Sequence, residues 1–208
     1  MAIVHEAEHH EGIPGVPLEY STEDGQLKIL GFWFFLATDL ILFSALFATF
    51  AVLRTNFAGG PSGRDLFDVT GFTAETFILL TSSFTCGLAT YNMRKGRRGA
   101  LMGWLVVTLL LGMSFIGLEL SEFIKYATSG ATVQTSGFLS AFFILVGTHG
   151  SHVSIGILWM LSILYQLGRY GINAITARKV FIVGIYWHFL DVVWVFIFTV
   201  VYLPGVMK

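Results

Sequence analysis

Five long apolar runs, separated by short polar segments, dominate the chain. They span residues 29–53, 72–93, 99–118, 137–168 and 180–207, and each carries at most one formally charged residue. An α-helix needs about 20 apolar residues to cross the hydrocarbon core of a bilayer, so each run is long enough. The runs are apolar on nearly all sides, which is typical of membrane helices rather than amphipathic surface helices. The pattern predicts an all-α polytopic membrane protein, a bundle of five transmembrane helices.

The segment before the first run has a different composition. Residues 1–27 hold six acidic residues, three histidines and two prolines, which is too polar for a signal peptide or a buried core. We predict two regions: a solvated cytoplasmic segment, 1–27, and a five-helix membrane domain, 28–208. No chemistry is assigned to His5, His9 and His10, because His-rich tails are commonly just solvated.

The basic residues predict the orientation of the bundle. With the amino terminus inside, eight of the 12 Lys and Arg residues, including the cluster at 94–98, lie at cytoplasmic helix ends. Lys and Arg are enriched on the cytoplasmic side of membrane proteins. We therefore expect a cytoplasmic amino terminus and a carboxy terminus outside.

Overall composition narrows the classes of function. The chain is 55% hydrophobic and 12% charged, with a mean hydropathy of +0.74 and a net charge of −1. A chain without a basic field has no means of holding a nucleic acid backbone, so nucleic acid is excluded as a partner. Cys86 is the single cysteine, which excludes a disulfide within the chain and a thiolate metal cluster.

Five ionisable side chains fall within the apolar runs. They are Asp39, His149, His152, His188 and Asp191. Counted at 1.5 Å per residue, all five reach a similar depth near the middle of the bilayer. Ionisable groups at that depth are costly and must face the bundle interior. We interpret them as one structural polar layer that fastens the helices, with a proton-related role for Asp39 as a further hypothesis.

Other interpretations of these residues stay open. Histidine and carboxylate three residues apart are also typical of di-metal bundles, and two histidines can ligate a haem. A di-metal bundle needs two Glu-x-x-His pairs, and no apolar run contains one, so the ligand set is incomplete. A stand-alone small transporter is a further alternative, although no inverted pair of interrupted helices is seen. Glu75, Glu119 and Glu122 are placed at outer helix ends, where solvation or a helix-end contact is expected.

Two segments identify a family: Gly-Thr-His-Gly-Ser-His-Val-Ser-Ile-Gly at 147–156 and Tyr-Trp-His-Phe-Leu-Asp-Val-Val-Trp at 186–194. Together with 30–39 and 117–123, they resemble subunit III of the haem-copper respiratory oxidases, and the similarity covers about residues 28–205. Two departures are clear. Asp39 stands where the family usually has Glu, and mitochondrial-type members have seven helices rather than five.

The resemblance implies a non-redox subunit of an oxidoreductase and translocase that reduces oxygen and pumps protons. The family's subunit III binds phospholipid, packs on the catalytic subunit I and supports proton uptake. Haems and copper are accordingly expected in subunit I and no cofactor or metal in this chain, with subunit II and a small subunit IV as further partners. Segments 17–20 and 82–87 look most like the menaquinol oxidase branch of Gram-positive bacteria, in the cell membrane; a cytochrome c oxidase is the alternative.

Overall fold

The structure, a computed structural model that describes residues 16–207, is helical throughout the part described. Five of its helices are long and apolar enough to span a membrane, so the predicted fold class is confirmed. A 3-10 turn at Leu18–Tyr20 precedes α1 (Glu23–Leu53), α2 (Gly63–Leu66), α3 (Val69–Arg94), α4 (Arg98–Thr128), α5 (Gly137–Tyr170) and α6 (Ala174–Ile197). A π-helical stretch, Phe198–Tyr202, then leads into α7 (Leu203–Met207) and continues the fifth span. The orientation in the membrane stays a prediction.

Local sequence signals fix where the long helices begin and end. Four of them start at a side chain that accepts a backbone N–H of the first turn: Thr22, Asp68, Ser136 and Asn173. Such N-caps satisfy donors that have no partner within the helix. The tight turns after α3 and α5 use Gly96 at φ 67° and Gly171 at φ 70°, a backbone region that glycine enters without steric cost.

Three helices extend beyond the apolar runs that predicted them. The first begins at Glu23 rather than 29, the third ends at Thr128 rather than 118, and the fifth begins at Ala174 rather than 180. Their extra turns are polar, because they project past the hydrocarbon core where polar side chains cost little. Apolar runs therefore locate the membrane-buried part of a helix and not its ends.

Four helices close a ring and the fifth packs on its side. α3 contacts α4, α4 contacts α5, α5 contacts α6 and α6 returns to α3, while α1 packs on α5 and α6. Each long helix thus meets its neighbour in the chain, apart from α1. The core runs along the centre of the ring and includes the fully buried rings of Trp194, Phe115 and Phe142.

The polar segment before α1 is attached to the bundle over its last residues. Glu19 is 1% exposed and receives the Arg94 guanidinium, with Nε 2.9 Å and Nη2 2.8 Å from its Oε1. Tyr20 packs edge-on against Phe181 of α6. Residues 19–22 therefore differ from the solvated segment that the composition predicts, whereas residues 16–18 are exposed. His5, His9 and His10 lie outside the described residues.

The contact of the Trp187 side chain of α6 with α4 depends on the absence of a side chain at Gly112. A Cβ atom at this position would lie 2.7 Å from Cη2 of the buried Trp187 indole. The same indole donates its Nε1–H to Ser82 Oγ of α3 at 2.9 Å. The ring of Trp187 therefore fills the space that Gly112 leaves, while its nitrogen links α6 to α3.

Gly112→Ala is expected to destabilise the bundle by about 1–3 kcal/mol, because the new methyl group overpacks the site of Trp187. Gly117→Ala on the same helix is the matched control, since a Cβ atom there meets nothing within 4 Å. Thermal unfolding of the two purified variants in the same detergent measures the difference. Equal unfolding temperatures for both variants would contradict the tight packing of the Trp187 ring on Gly112.

Candidate functional site: the polar groups of the bundle interior

Asp39 and His152 form a pair that links α1 to α5. Nε2 of His152 lies 3.6 Å from Oδ2 of Asp39, and the two side chains are 18% and 10% exposed. Nδ1 of His152 lies 2.7 Å from the Thr148 carbonyl oxygen. A carbonyl only accepts, so Nδ1 carries a hydrogen. This pair is the part of the predicted polar layer that the structure brings together across α1 and α5.

The contact within this pair is electrostatic. The 3.6 Å between Nε2 and Oδ2 is longer than a hydrogen bond, and Oδ2 of Asp39 has no hydrogen-bond partner among the described residues. The pair nevertheless brings an imidazole to a mostly buried carboxyl group, the kind of partner that a buried acid needs inside a membrane.

His149 has a different environment from His152, although the two lie three residues apart. It is 0% exposed, and neither ring nitrogen has a hydrogen-bond partner. Its ring lies 5.8 Å from that of Phe115 and 5.4 Å from that of Trp194, measured between centroids. His149 is therefore an aromatic core residue and does not join the polar pair.

The third polar group lies between α3 and α6. Ser83 Oγ and His188 Nδ1 are 2.7 Å apart, and Asp191 lies close to His188 on the same helix. His188 and Asp191, three residues apart on α6, interact electrostatically. Ser83 is the member of this group that sequence reasoning missed, because a lone serine in an apolar run carries no signal of its own. The predicted layer is thus divided between two helix interfaces.

The three glutamates predicted at helix ends lie inside the bundle or at its edge. Glu75 is 1% exposed and neither carboxyl oxygen has a hydrogen-bond partner among the described residues. Glu119 is 6% exposed and fills the space above Gly150 of α5. Glu122 accepts a 3.2 Å hydrogen bond from the Tyr126 hydroxyl. A solvated role, expected for helix ends, is wrong for Glu75 and Glu119, because both are buried. Glu119 lies within α4, which continues to Thr128, and Glu75 lies within α3, which begins at Val69.

Two tryptophans of α6 make polar contacts that the sequence did not indicate. Trp187 and Trp194, seven residues apart, donate their indole N–H groups to Ser82 and Thr76 of α3, at 2.9 and 3.1 Å. A spacing of seven showed that they share one helix face. It did not show that the facing helix carries hydroxyl groups at matching heights.

Metal ligation was an open alternative for the polar residues. Within residues 16–207, no group of three or more His, Cys, Asp or Glu side chains is arranged to hold a metal ion. The expectation that the chain carries no redox centre stays an expectation. The geometry instead shows polar side chains in contact with one another between helices.

The fold and the site together define a class of protein: a membrane bundle of five helices with paired polar groups at its helix interfaces. The family model for cytochrome c oxidase subunit III matches residues 21–206. The chain therefore belongs to the cytochrome c oxidase subunit III family, which confirms the family that the two histidine-containing segments indicated.

Individual relatives cover nearly the whole chain. Quinol oxidase subunit 3 of Bacillus subtilis (strain 168) is 52% identical over 96% of this chain and 97% of its own length. Cytochrome bo(3) ubiquinol oxidase subunit 3 of Pseudomonas putida is 49% identical over 89% of both chains. Cytochrome c oxidase subunit 3 of Bacillus sp. (strain PS3) is 45% identical over 95% of both.

His152→Leu is expected to lower the stability of the bundle by about 1–3 kcal/mol, because Asp39 loses its partner and stays buried. His149→Leu is the matched control and should cost less, since it removes an imidazole whose nitrogens are unpaired. Thermal unfolding of both purified variants in detergent measures the two losses. If His149→Leu proved as destabilising as His152→Leu, the role of the Asp39–His152 pair as a fastening between α1 and α5 would be refuted.

Proposed function

We propose that this chain is subunit III of a proton-pumping haem-copper quinol oxidase, with menaquinol as donor. The observation that carries the proposal is the 52% identity, over almost the full length of both chains, with the quinol oxidase subunit 3 of Bacillus subtilis. The five-helix architecture agrees with it, because each predicted span has a counterpart in the structure. The complex is an oxidoreductase of the bacterial cell membrane, and this chain is one of its subunits.

The role proposed for the chain is support of the catalytic subunit. Haems and copper belong to subunit I, and this chain packs on it together with subunit II and a small subunit IV. The chain itself supplies no redox centre. A supporting role without redox centres agrees with the interior of the described chain, where polar side chains such as Asp39 and His152 make contacts between helices.

A role in proton uptake is proposed for the Asp39–His152 pair. An imidazole and a carboxyl group 3.6 Å apart are placed to share one proton, and both are only slightly exposed at the α1–α5 interface. A pair that holds a proton near the middle of the membrane responds to a change in nearby charge. We place this response near subunit I, where proton movement accompanies oxygen reduction.

Phospholipid binding is proposed at the carboxy-terminal end of α1. A cavity of about 230 Å³ lies there between α1, α2 and the end of the fifth span. Phe50, Phe138 and Val200 line it, and Arg54 and Arg64 lie at its edge. Apolar walls suit an acyl chain, and the two guanidinium groups suit a lipid phosphate.

Cytochrome c is the second candidate for the donor. The specific observation in its favour is the relative from Bacillus sp. (strain PS3), a cytochrome c oxidase subunit 3 with 45% identity over 95% of the chain. The lower identity leaves quinol as the better supported donor.

A stand-alone transporter would need a solute path, and the polar groups of the bundle are divided between two separate helix interfaces.

Purification through a tag on this chain, from native membranes in mild detergent, is expected to yield a haem-containing complex. The complex should consume oxygen with menaquinol and not with reduced cytochrome c. Oxygen uptake with each donor, compared with untagged membranes carried through the same column, provides the measurement. Activity with cytochrome c alone would overturn the donor, and a colourless chain without other subunits would overturn the proposed function.

Asp39→Asn is expected to preserve assembly but to shorten the period for which the complex stays active during turnover. An amide can still hydrogen-bond to His152 but cannot carry the shared proton. Asp39→Glu, which restores the residue usual in the family, is the matched control and should sustain turnover. Activity is followed through repeated oxygen pulses. Identical decay for Asp39→Asn and the unaltered complex would refute the proton role.

A further inference from the structure

One face of the bundle, between α3 and α6, carries ionisable groups at membrane depth that the chain itself leaves uncovered. His188 is exposed and Ser83 and Asp191 are half-buried. Ser83 lies about 21 Å from the start of α3 and about 17 Å from its end, counted at 1.5 Å per residue, which is near the middle of the bilayer. This set, Ser83, His188 and Asp191, is called the α3–α6 polar patch below.

The hydrogen bonds of the patch leave one nitrogen free. Ser83 Oγ and His188 Nδ1 share a 2.7 Å hydrogen bond, and the tautomer of the imidazole decides which of the two atoms donates. Nε2 of His188 has no hydrogen-bond partner among the described residues. This nitrogen donates in one tautomer and accepts in the other, and the side chain that presents it is exposed.

Other exposed polar side chains at membrane depth differ from the patch, because their own helix satisfies them. Thr81 donates to the Phe77 carbonyl at 2.7 Å, Ser114 to that of Leu110 at 2.9 Å, and Ser151 to that of Thr148 at 2.7 Å. Such hydroxyl groups can face lipid at little cost. An imidazole and a carboxyl group cannot, because the lipid offers no donor or acceptor.

The surface beside the patch is shaped for a close neighbour. A recess of about 270 Å³ runs from His188 along α3 and α6, and Gly87, Gly184 and Tyr91 are among its lining residues. Nothing lies within 4 Å of a Cβ atom built at Gly87. Glycines at the surface of a membrane helix let the backbone of another helix approach closely, which favours hydrogen bonds between helices.

We infer that the α3–α6 polar patch is the surface on which a transmembrane helix of another oxidase subunit docks. That helix presents a polar side chain that hydrogen-bonds with Nε2 of His188, such as Asn, Gln, Ser or Thr. It packs along the recess over Gly87 and Gly184. This inference rests on the proposed function, because it requires the chain to be part of a multisubunit complex.

The Asp39–His152 pair shows the contrast within the same chain. Its two partners come from α1 and α5, and both are mostly buried. Both partners of that contact belong to this chain. The α3–α6 polar patch has the same kinds of side chain at a similar depth, but no helix of the described chain covers it.

Photo-cross-linking in the intact complex tests the docking surface directly. A photoreactive phenylalanine replaces Tyr91, which is 53% exposed and lines the recess, or Tyr165 of α5, which is 69% exposed and does not line it. Illumination of native membranes is expected to join position 91 to another subunit, identified by mass spectrometry. Position 165 sets the level of cross-linking for an exposed tyrosine outside the recess. Attachment of position 91 to phospholipid only would overturn the inference.

A pair of substitutions tests the hydrogen bond to His188. His188→Leu should reduce the fraction of chain retained in the complex after a detergent wash by roughly tenfold, as expected for one lost hydrogen bond to a charged or strongly polar group. Thr81→Val, an exposed position on α3 whose hydroxyl bonds within its own helix, should be retained like the unaltered chain. Equal retention of both variants would overturn the inference.

The two proposals fail in different ways. If tagged chain brings down no oxidase subunit, the proposed function fails and the docking surface with it. If the oxidase co-purifies but position 91 labels only lipid and His188→Leu stays fully retained, the docking surface alone fails. The cross-linking experiment retains His188, so it tests the docking surface even if the His188→Leu variant does not fold.

Discussion

The absence of water from the bilayer core is the constraint on which the rest of this structure depends. Each polar atom at membrane depth must find a partner within the protein or lose its charge. The bundle meets this condition in several ways: indole N–H groups bond to hydroxyls across α3 and α6, and Asp39 meets His152 across α1 and α5. His149 is enclosed by aromatic rings instead. Small residues such as Gly112 are needed so that the helices come close enough for these contacts.

The same constraint explains how the amino-terminal side of the bundle is held. Glu19 is buried beneath the ends of the helices, where an unpaired carboxylate would be costly, and Arg94 at the end of α3 neutralises it. Arg178, at the start of α6, adds a weaker contact to Asp24 at 3.8 Å. A count of basic residues uses Arg94 and Arg178 only to predict the orientation of the bundle. The structure shows that these two residues also connect the first helix and the segment before it to the ring.

The prediction of five helices rested on the length of the apolar runs, because a run of about 20 apolar residues is typical of a helix that spans a membrane. The family could be predicted from the segments around His149, His152 and His188, which are long enough to be specific. Partners across the bundle could not be predicted, since a helix of 1.5 Å rise per residue fixes depth but not which neighbour a side chain faces. Ser83 and Thr76 gain their roles only from the packing of α3 on α6. The burial of Glu119 depends likewise on α4 continuing beyond its apolar run.

Division of the polar residues between two interfaces bears on what kind of protein this is. A transporter needs polar groups that follow one another along a path, but the α1–α5 pair and the α3–α6 polar patch lie on different pairs of helices, and no hydrogen bond joins them among the described residues. The first group is mostly buried between two helices of the chain, whereas the second presents an exposed imidazole at membrane depth. A bundle with one buried and one exposed polar group is suited to a subunit that makes a further polar contact when it joins a complex.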